Sequence, residues 1–166
     1  MIVLAGCSMN GSDDPGYTPK RREIKDIREE AERLSSQILD IIDLRGKVSE
    51  PGPGVALCGE KDPEQFFTIH HPWSLTRVPV VDLGQAMVRL RDGLPKMGWE
   101  VTKYGPDGSP SRSLELIANS TRVQFSVDII FYDESKQSKP TGSSMIHVDL
   151  SSACFQVPEG KTVDEY

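Results

Sequence analysis

The sequence predicts an α+β fold, in which two helices pack on one face of a mostly antiparallel sheet of about five strands. Three observations predict it. Apolar residues recur at helical spacing between residues 24 and 41, and apolar and polar residues alternate between residues 123 and 131. The predicted elements follow the order helix, strand, helix and then four strands, without the regular alternation that is typical of a parallel sheet.

The first helix is predicted over residues 19–45. Thr18 can cap it, Pro19 suits the first helical position, and Gly46 is a natural end. Its apolar stripe covers fewer than three heptads, which favours packing on a sheet over a coiled coil. The stripe consists of Ile24, Ile27, Ala31, Leu34, Ile38 and Ile41.

The second helix is predicted to begin at Asp82, where Gln85 completes a capping-box pattern, and to end at Gly98. Pro95 should distort its last turn. Its buried face would hold Leu83, Ala86, Met87, Leu90, Leu94 and Met97. The strands are predicted near residues 65–71, 99–104, 113–118, 123–131 and 146–150. Pro72 is expected to end the first of them, because proline donates no backbone hydrogen bond.

Length and charge limit the classes of function. The 166 residues predict one domain, and the net charge of −6 makes the chain a poor candidate for binding nucleic acids, so no nucleic-acid partner is expected. No run of 18 apolar residues is present, so no transmembrane helix is predicted. We expect the end of a signal segment at 1–7, a flexible tether at 8–18, one domain at 19–157 and a loose tail at 158–166.

Cys7 is predicted to carry a lipid. Residues 4–7 read Leu-Ala-Gly-Cys, which matches the lipobox of bacterial lipoproteins: an apolar residue, two small residues and the cysteine that takes a diacylglycerol. Only six residues precede Cys7, which is too short for the charged region and apolar run of a complete signal. We expect either that the true start lies upstream or that the chain is a fragment, whereas a true start at Met1 would disfavour export. The polar tether after Cys7 would link the anchor to the folded domain.

Cys58 and Cys154 are left as a pair once Cys7 is assigned to the lipid. In an oxidising compartment they would form a disulfide that encloses nearly the whole domain. The alternative is two free, buried cysteines in a cytosolic protein. Export would make both the lipid and the disulfide expected.

The candidate catalytic residues are few. His70 and His71 are adjacent on a strand and should point to opposite faces, so they cannot share one metal ion. His147 and Asp149 lie on one face and form a minimal acid–base pair, although such a pair is more often a surface ion pair. No familiar catalytic, metal or phosphate motif is present, and we expect no catalytic residue, metal or cofactor. Four aromatic residues could line a surface groove, but packing inside the fold is favoured for them: Trp73, Trp99, Tyr104 and Tyr132.

The lipobox at Cys7, the polar tether, the long first helix, Leu57-Cys58 and Cys154-Phe155 form a combination that resembles a known group. It is similar to the small cell-envelope lipoproteins of high-GC Gram-positive bacteria, loosely of the mycobacterial LppA type. The resemblance implies a location and a fold more than an activity.

The sequence therefore predicts an exported lipoprotein, held by Cys7 on the extracytoplasmic face of the cell membrane. We expect it to be a non-catalytic binding or structural module for an envelope protein, glycan or lipid. The alternatives are an envelope hydrolase, which uses His147 with Asp149 or uses His70 or His71, and a cytosolic interaction domain.

Overall fold

The structure is a computed structural model, and it describes residues 16–137 and 142–164. These residues contain two α-helices, eight strands and two short 3-10 helices. The helices are α1 (Ile24–Ile42) and α2 (Val80–Gly93). The strands are β1 (Lys47–Val48), β2 (Gly54–Ala56), β3 (Phe66–Thr76), β4 (Glu100–Pro106), β5 (Leu114–Ser120), β6 (Phe125–Tyr132), β7 (Met145–Ser152) and β8 (Phe155–Gln156).

The strands form one antiparallel sheet in the order β1-β3-β7-β6-β5-β4, and β2 and β8 also pair with β3. Both helices pack on the same face, α1 against β3 and β7 and α2 against β6 and β7. The predicted α+β class is therefore confirmed. The face that carries the helices is called the covered face below, and the opposite face is called the open face.

The sheet is larger than the predicted five strands. The five long strands, β3 to β7, correspond to the five predicted ones, whereas β1, β2 and β8 have only two or three residues each. A strand this short shows no period of two, so it leaves no pattern in the sequence. All three extra strands pair with β3, which is 11 residues long.

The first helix is shorter than predicted at both ends. It begins at Ile24, because residues 20–22 instead pair with Gln156 and extend the sheet. It ends at Ile42, and Asp43 adopts a left-handed conformation with φ of 51°. Gly46 is needed for another reason: a Cβ atom there would lie 2.3 Å from the carbonyl oxygen of Thr76.

The second helix begins at Val80, two residues before the predicted start, and Pro79 occupies the N-cap position. Asp82 lies in the first turn, where an acidic side chain favours the helix dipole. Pro95 has the expected effect: the α-helix ends at Gly93 and a short 3-10 helix follows, closed by Gly98 with φ of 86°.

The core lies between the helices and the covered face of the sheet, and the predicted apolar faces of both helices supply much of it. Met97, expected at full burial, is only partly buried beyond the end of α2. Fully buried side chains from the helices and the sheet meet in this layer, including Ile27, Ile38, Leu83, Met87, Leu90, Phe67, Ile69, Leu116 and Ile129.

Residues 158–164, expected in a loose tail, return to the domain. Val163 is buried, and its backbone N–H donates to the carbonyl of Glu64 at 2.8 Å. Lys161 also forms an ion pair with Glu23 at 2.6 Å. A single apolar residue in a polar stretch gave no periodic signal, which is why the sequence did not predict this contact.

Within the described part of the chain, neither helix is both long and apolar enough to cross a lipid bilayer.

Candidate functional site

The three cysteines have different outcomes. Cys58, which follows β2, and Cys154, which lies between β7 and β8, form a disulfide with a Cα–Cα distance of 5.7 Å. Their predicted pairing is therefore present in the structure. Cys7 lies outside the described residues, and its lipid remains a prediction. At the near end of the predicted tether, the Tyr17 hydroxyl accepts a hydrogen bond from the backbone N–H of Cys154 at 2.7 Å.

The three histidines lie on two faces of the sheet. His71 lies on the covered face beside α1, and His70 lies on the open face, as strand alternation predicts. The expected pair of His147 and Asp149 is not formed. Asp149 pairs with His70 on the neighbouring strand, while Nδ1 of His147 lies 3.0 Å from the hydroxyl of Ser74. Asp149 lies opposite Pro72, so His70 is its diagonal neighbour across the two strands, within reach of a long side chain.

A buried polar cluster joins α1 to β3. The hydroxyl oxygen of Ser35 lies 2.8 Å from Nδ1 of His71, and the indole N–H of Trp73 donates to the same oxygen at 3.1 Å. Ser35 is only 7% exposed and Trp73 only 3%. The sequence places His71 and Trp73 two residues apart on one strand, so both reach the same turn of α1.

The protonation of His71 follows from this setting. Burial lowers the pKa of His71 below its ordinary value of 6.5, although the carbonyl of Ala31 and the charge of Glu32 partly oppose the effect. The imidazole is therefore neutral at pH 7. Because the Ser35 oxygen already accepts from Trp73, its own proton is free to be donated to Nδ1 of His71.

A cleft of about 260 Å³ lies over this cluster, between α1 and the loop that connects β1 to β2. Trp73 and His71 form its base, and the apolar part of its wall comes from Leu39, Val48 and Pro53. The remaining lining residues are polar or small: Glu32, Ser35, Ser36, Ser49, Glu50 and Gly52.

The cleft exists because one edge of β3 is partly uncovered. β1 pairs with residues 75–76 and β2 with residues 68–70, so Pro72 has no strand beside it on this edge. Ser74 exchanges hydrogen bonds with Ser49 at 2.8 and 3.0 Å, and the pleat directs the backbone of Pro72 to the same side. A proline is tolerated there because no N–H is required. The prediction that Pro72 ends the strand was therefore wrong.

The charge of the cleft is acidic. Glu32 on α1 and Glu50 on the connecting loop are both exposed and both belong to its wall. Among the described residues that line the cleft, none is lysine or arginine. His71 adds no positive charge, because its lowered pKa keeps it neutral at pH 7. The wall thus favours neutral or cationic groups and disfavours anions.

A second polar cluster crosses the open face. Asp128 on β6 lies directly opposite Asp149 on β7, and Glu115 on β5 forms an ion pair with Lys103 on β4. Burial raises the pKa of Asp128, and the carboxylates of Glu115 and Asp149 raise it further. One oxygen of Asp128 is buried without a hydrogen-bond partner. This row of side chains does not form a metal centre: across residues 16–137 and 142–164, no three metal-ligating side chains are grouped so as to hold an ion.

Sequence reasoning missed most of the cleft, including the polar residues on which its proposed chemistry depends: Glu32, Ser35 and Glu50. Ser35 could have been noticed, because it is a polar residue next to the apolar stripe of α1. The two glutamates gave no signal, since Glu32 lies on the helix and Glu50 reaches the same cleft only through the path of the β1–β2 loop. Of the four aromatic residues that could line a groove, only Trp73 lines this cleft.

Comparisons with protein-family models, with curated proteins and with solved structures found no match to this chain. Its function is therefore inferred from the geometry of the cleft and of the disulfide.

Proposed function

We propose that the chain is a lipid-anchored lipoprotein on the extracytoplasmic face of the cell membrane, where its domain binds a ligand in the α1–β3 cleft and catalyses no reaction. The observation that carries this proposal is the disulfide between Cys58 and Cys154. Disulfides persist in oxidising compartments and are rare in the cytosol. The same compartment is where a lipobox cysteine would be modified.

The lipobox and the disulfide support each other. Residues 4–7 match the sequence at which exported lipoproteins receive their lipid, and their cysteine is the one that takes no part in the disulfide. A free cysteine in an exported chain calls for an explanation, and lipidation supplies one. The resemblance to cell-envelope lipoproteins of high-GC Gram-positive bacteria agrees with this assignment.

Binding without catalysis fits the chemistry of the cleft. Ser35 is only 7% exposed, and its oxygen accepts a hydrogen bond from the indole N–H of Trp73. The ring of His71 hydrogen-bonds to the backbone carbonyl of Ala31, and within the described part of the chain it donates to no carboxylate, unlike the arrangement of a catalytic triad. The cleft offers shape, charge and hydrogen-bonding groups, which are sufficient for recognition.

Intact mass spectrometry of the protein from its native membrane fraction tests the anchor and the disulfide together. We expect loss of residues 1–6, a diacylglycerol increment on Cys7 and a gain of two hydrogens on reduction. Cys7→Ser is the matched control, which should remove the lipid and retain the disulfide. An unmodified and fully reduced chain would overturn the proposal and favour a cytosolic interaction domain.

A second candidate function is hydrolysis at Ser35, and the 2.8 Å contact with Nδ1 of His71 is the observation that favours it. A neutral imidazole at this distance can accept the serine proton and activate the oxygen for attack. The test is hydrolysis of p-nitrophenyl acetate by the wild type, Ser35→Ala and Ser74→Ala. Turnover that is lost only in Ser35→Ala would establish the enzyme, and turnover unaffected by either change would exclude it.

A further inference from the structure

We infer that the α1–β3 cleft recognises an organic ammonium ion, with the charged nitrogen between Glu32 and Glu50 and an apolar group on the wall below. This inference rests on the proposed binding function of the cleft and adds the chemical class of its ligand. The same group occurs in a small free amine and in a lysine side chain.

Among the described residues, Glu32 and Glu50 differ from the neighbouring glutamates of α1 in forming no ion pair. On the same helix, Glu29 forms an ion pair with Lys25 at 3.6 Å and Glu30 pairs with Arg33 at 2.5 Å. Glu32 and Glu50 form no ion pair with any of the residues that the structure describes. Two carboxylates at one cleft, with no ion pair and no lysine or arginine in the wall among the described residues, attract a positive charge.

The apolar part of the cleft can hold a carbon group that is bonded to the charged nitrogen of the ligand. Leu39, Val48 and Pro53 provide apolar contacts, and Trp73 also lines the cleft. Aromatic and aliphatic walls with a few polar groups are typical of small-molecule sites. A free metal ion or ammonium would leave this apolar surface unused, so the ligand carries carbon next to its charge.

The size of the cleft limits the ligand. Its volume is about 260 Å³. This is just below the range of about 300–1,000 Å³ that holds drug-sized ligands. A compound such as 2-phenylethylammonium, or the side chain of one lysine, is of the right size.

The chain provides its own reporter. Its two tryptophans are Trp73, at the base of the cleft, and Trp99, which is buried in the core and does not line the cleft. Their indole N–H groups give two separate peaks in a ¹H–¹⁵N NMR spectrum, and Trp99→Phe assigns them. The Trp73 peak reports binding, and the Trp99 peak reports the integrity of the fold.

The experiment titrates the full oxidised chain, with Cys7→Ser to keep it free of lipid, with three matched probes. These are 2-phenylethylammonium chloride, 2-phenylethanol and sodium phenylacetate. We expect the ammonium to shift the Trp73 peak saturably, with a dissociation constant at least tenfold lower than that of the alcohol, and we expect no shift with phenylacetate.

Charge variants test the role of the glutamates. Glu32→Gln with Glu50→Gln should raise the dissociation constant for the ammonium at least tenfold and remove its advantage over the alcohol. Glu29→Gln, on the same helix but outside the cleft, should leave it within twofold. All three positions are exposed, and an unchanged Trp99 peak will show that the variants fold.

N-acetyl-lysine amide distinguishes the two sources of the ammonium group. Tighter binding of this compound favours a lysine on a partner protein, whereas tighter binding of 2-phenylethylammonium favours a small amine, and both results support the inference. It is overturned if the alcohol binds as tightly as the ammonium, if the double variant binds it unchanged, or if no cationic probe shifts the Trp73 peak. Equal binding of the alcohol would retain the cleft as a binding site, and the mass of the native protein would still decide the anchor independently.

Discussion

Two serine–histidine pairs lie on opposite faces of the same sheet. On the covered face, the hydroxyl oxygen of Ser35 lies 2.8 Å from Nδ1 of His71. On the open face, the hydroxyl oxygen of Ser74 lies 3.0 Å from Nδ1 of His147. The geometry is nearly the same, but the surroundings differ. Burial lowers the pKa of His71, and the Ser35 oxygen also satisfies a buried indole N–H. The contrast indicates that burial, and not the contact distance, decides how much such a pair contributes to the stability of the fold.

The largest loss of stability is expected from removing the disulfide between Cys58 and Cys154. Cys58→Ser with Cys154→Ser removes a crosslink between residues that are 96 apart in sequence. In the chain-entropy model this lowers the free energy of unfolding by about 4–5 kcal/mol. Urea unfolding of the double variant and the oxidised wild type measures it. Equal midpoints would show that the disulfide adds nothing to the stability of the domain.

The next prediction compares the faces within one strand. Ile129 points to the covered face and is fully buried, whereas its neighbour Ile130 points to the open face and is only partly buried. Ile129→Ala should lower the free energy of unfolding by about 2–5 kcal/mol, because it leaves a cavity in the core. Ile130→Ala should lower it by about 1 kcal/mol. Similar losses in chemical denaturation would show that the open face is covered in solution.

Removing the serine hydroxyl of each serine–histidine pair should cause a smaller loss of stability, and the loss should differ between the two faces. Ser35→Ala removes the acceptor of the Trp73 indole N–H and should lower the free energy of unfolding by about 1–3 kcal/mol, because a buried donor is left unsatisfied. Ser74→Ala, the matched change on the open face, should stay within about 0.5 kcal/mol of the wild type, since water can replace the hydroxyl. Thermal or urea unfolding of both variants is the measurement, and a larger loss in Ser74→Ala would reverse the comparison.

The smallest expected effect concerns pH. His71 on the covered face and Asp128 on the open face should change the free energy of unfolding in opposite directions as pH falls. The pKa of His71 is lowered from 6.5, so its contribution to stability is complete above that value and is lost as pH falls through the folded-state pKa. The pKa of Asp128 is raised from 3.8, so its contribution is largest below that value and is lost as pH rises through the folded-state pKa.

Unfolding of the wild type, His71→Gln and Asp128→Asn between about pH 4 and pH 8 tests these signs. On acidification, the free energy of unfolding of the wild type should fall relative to that of His71→Gln. Over the same pH change, the free energy of unfolding of the wild type should rise relative to that of Asp128→Asn. Parallel curves for all three proteins would contradict both assignments.

Much of the fold could be predicted because its elements are long and periodic. The apolar stripe of α1 and the alternation in β6 each place several side chains on one face, and this repetition is what sequence reasoning detects. The short strands β1, β2 and β8 could not be found this way. Pro72 was misjudged because its tolerance depends on the absence of a neighbouring strand at one edge.

The candidate site was predicted only in part. His70 and His71 were correctly assigned to opposite faces, because alternation along a strand is a local property. The cleft was not predicted, since Glu50 belongs to a loop and Glu32 to a helix, and the sequence contains no signal that joins them. The partner of Asp149 was also missed, because pairing between strands depends on their register.

The amino-acid sequence by itself determined the α+β class, the two helices, the five long strands and the pair of cysteines that form the disulfide. These follow from periodicity and from residue chemistry, which act over a few neighbouring positions. Only the tertiary structure decided which edge of β3 stays open and which carboxylates meet at the cleft. The physical reason is that both depend on strand register and loop path, which are fixed by contacts between residues far apart in the chain.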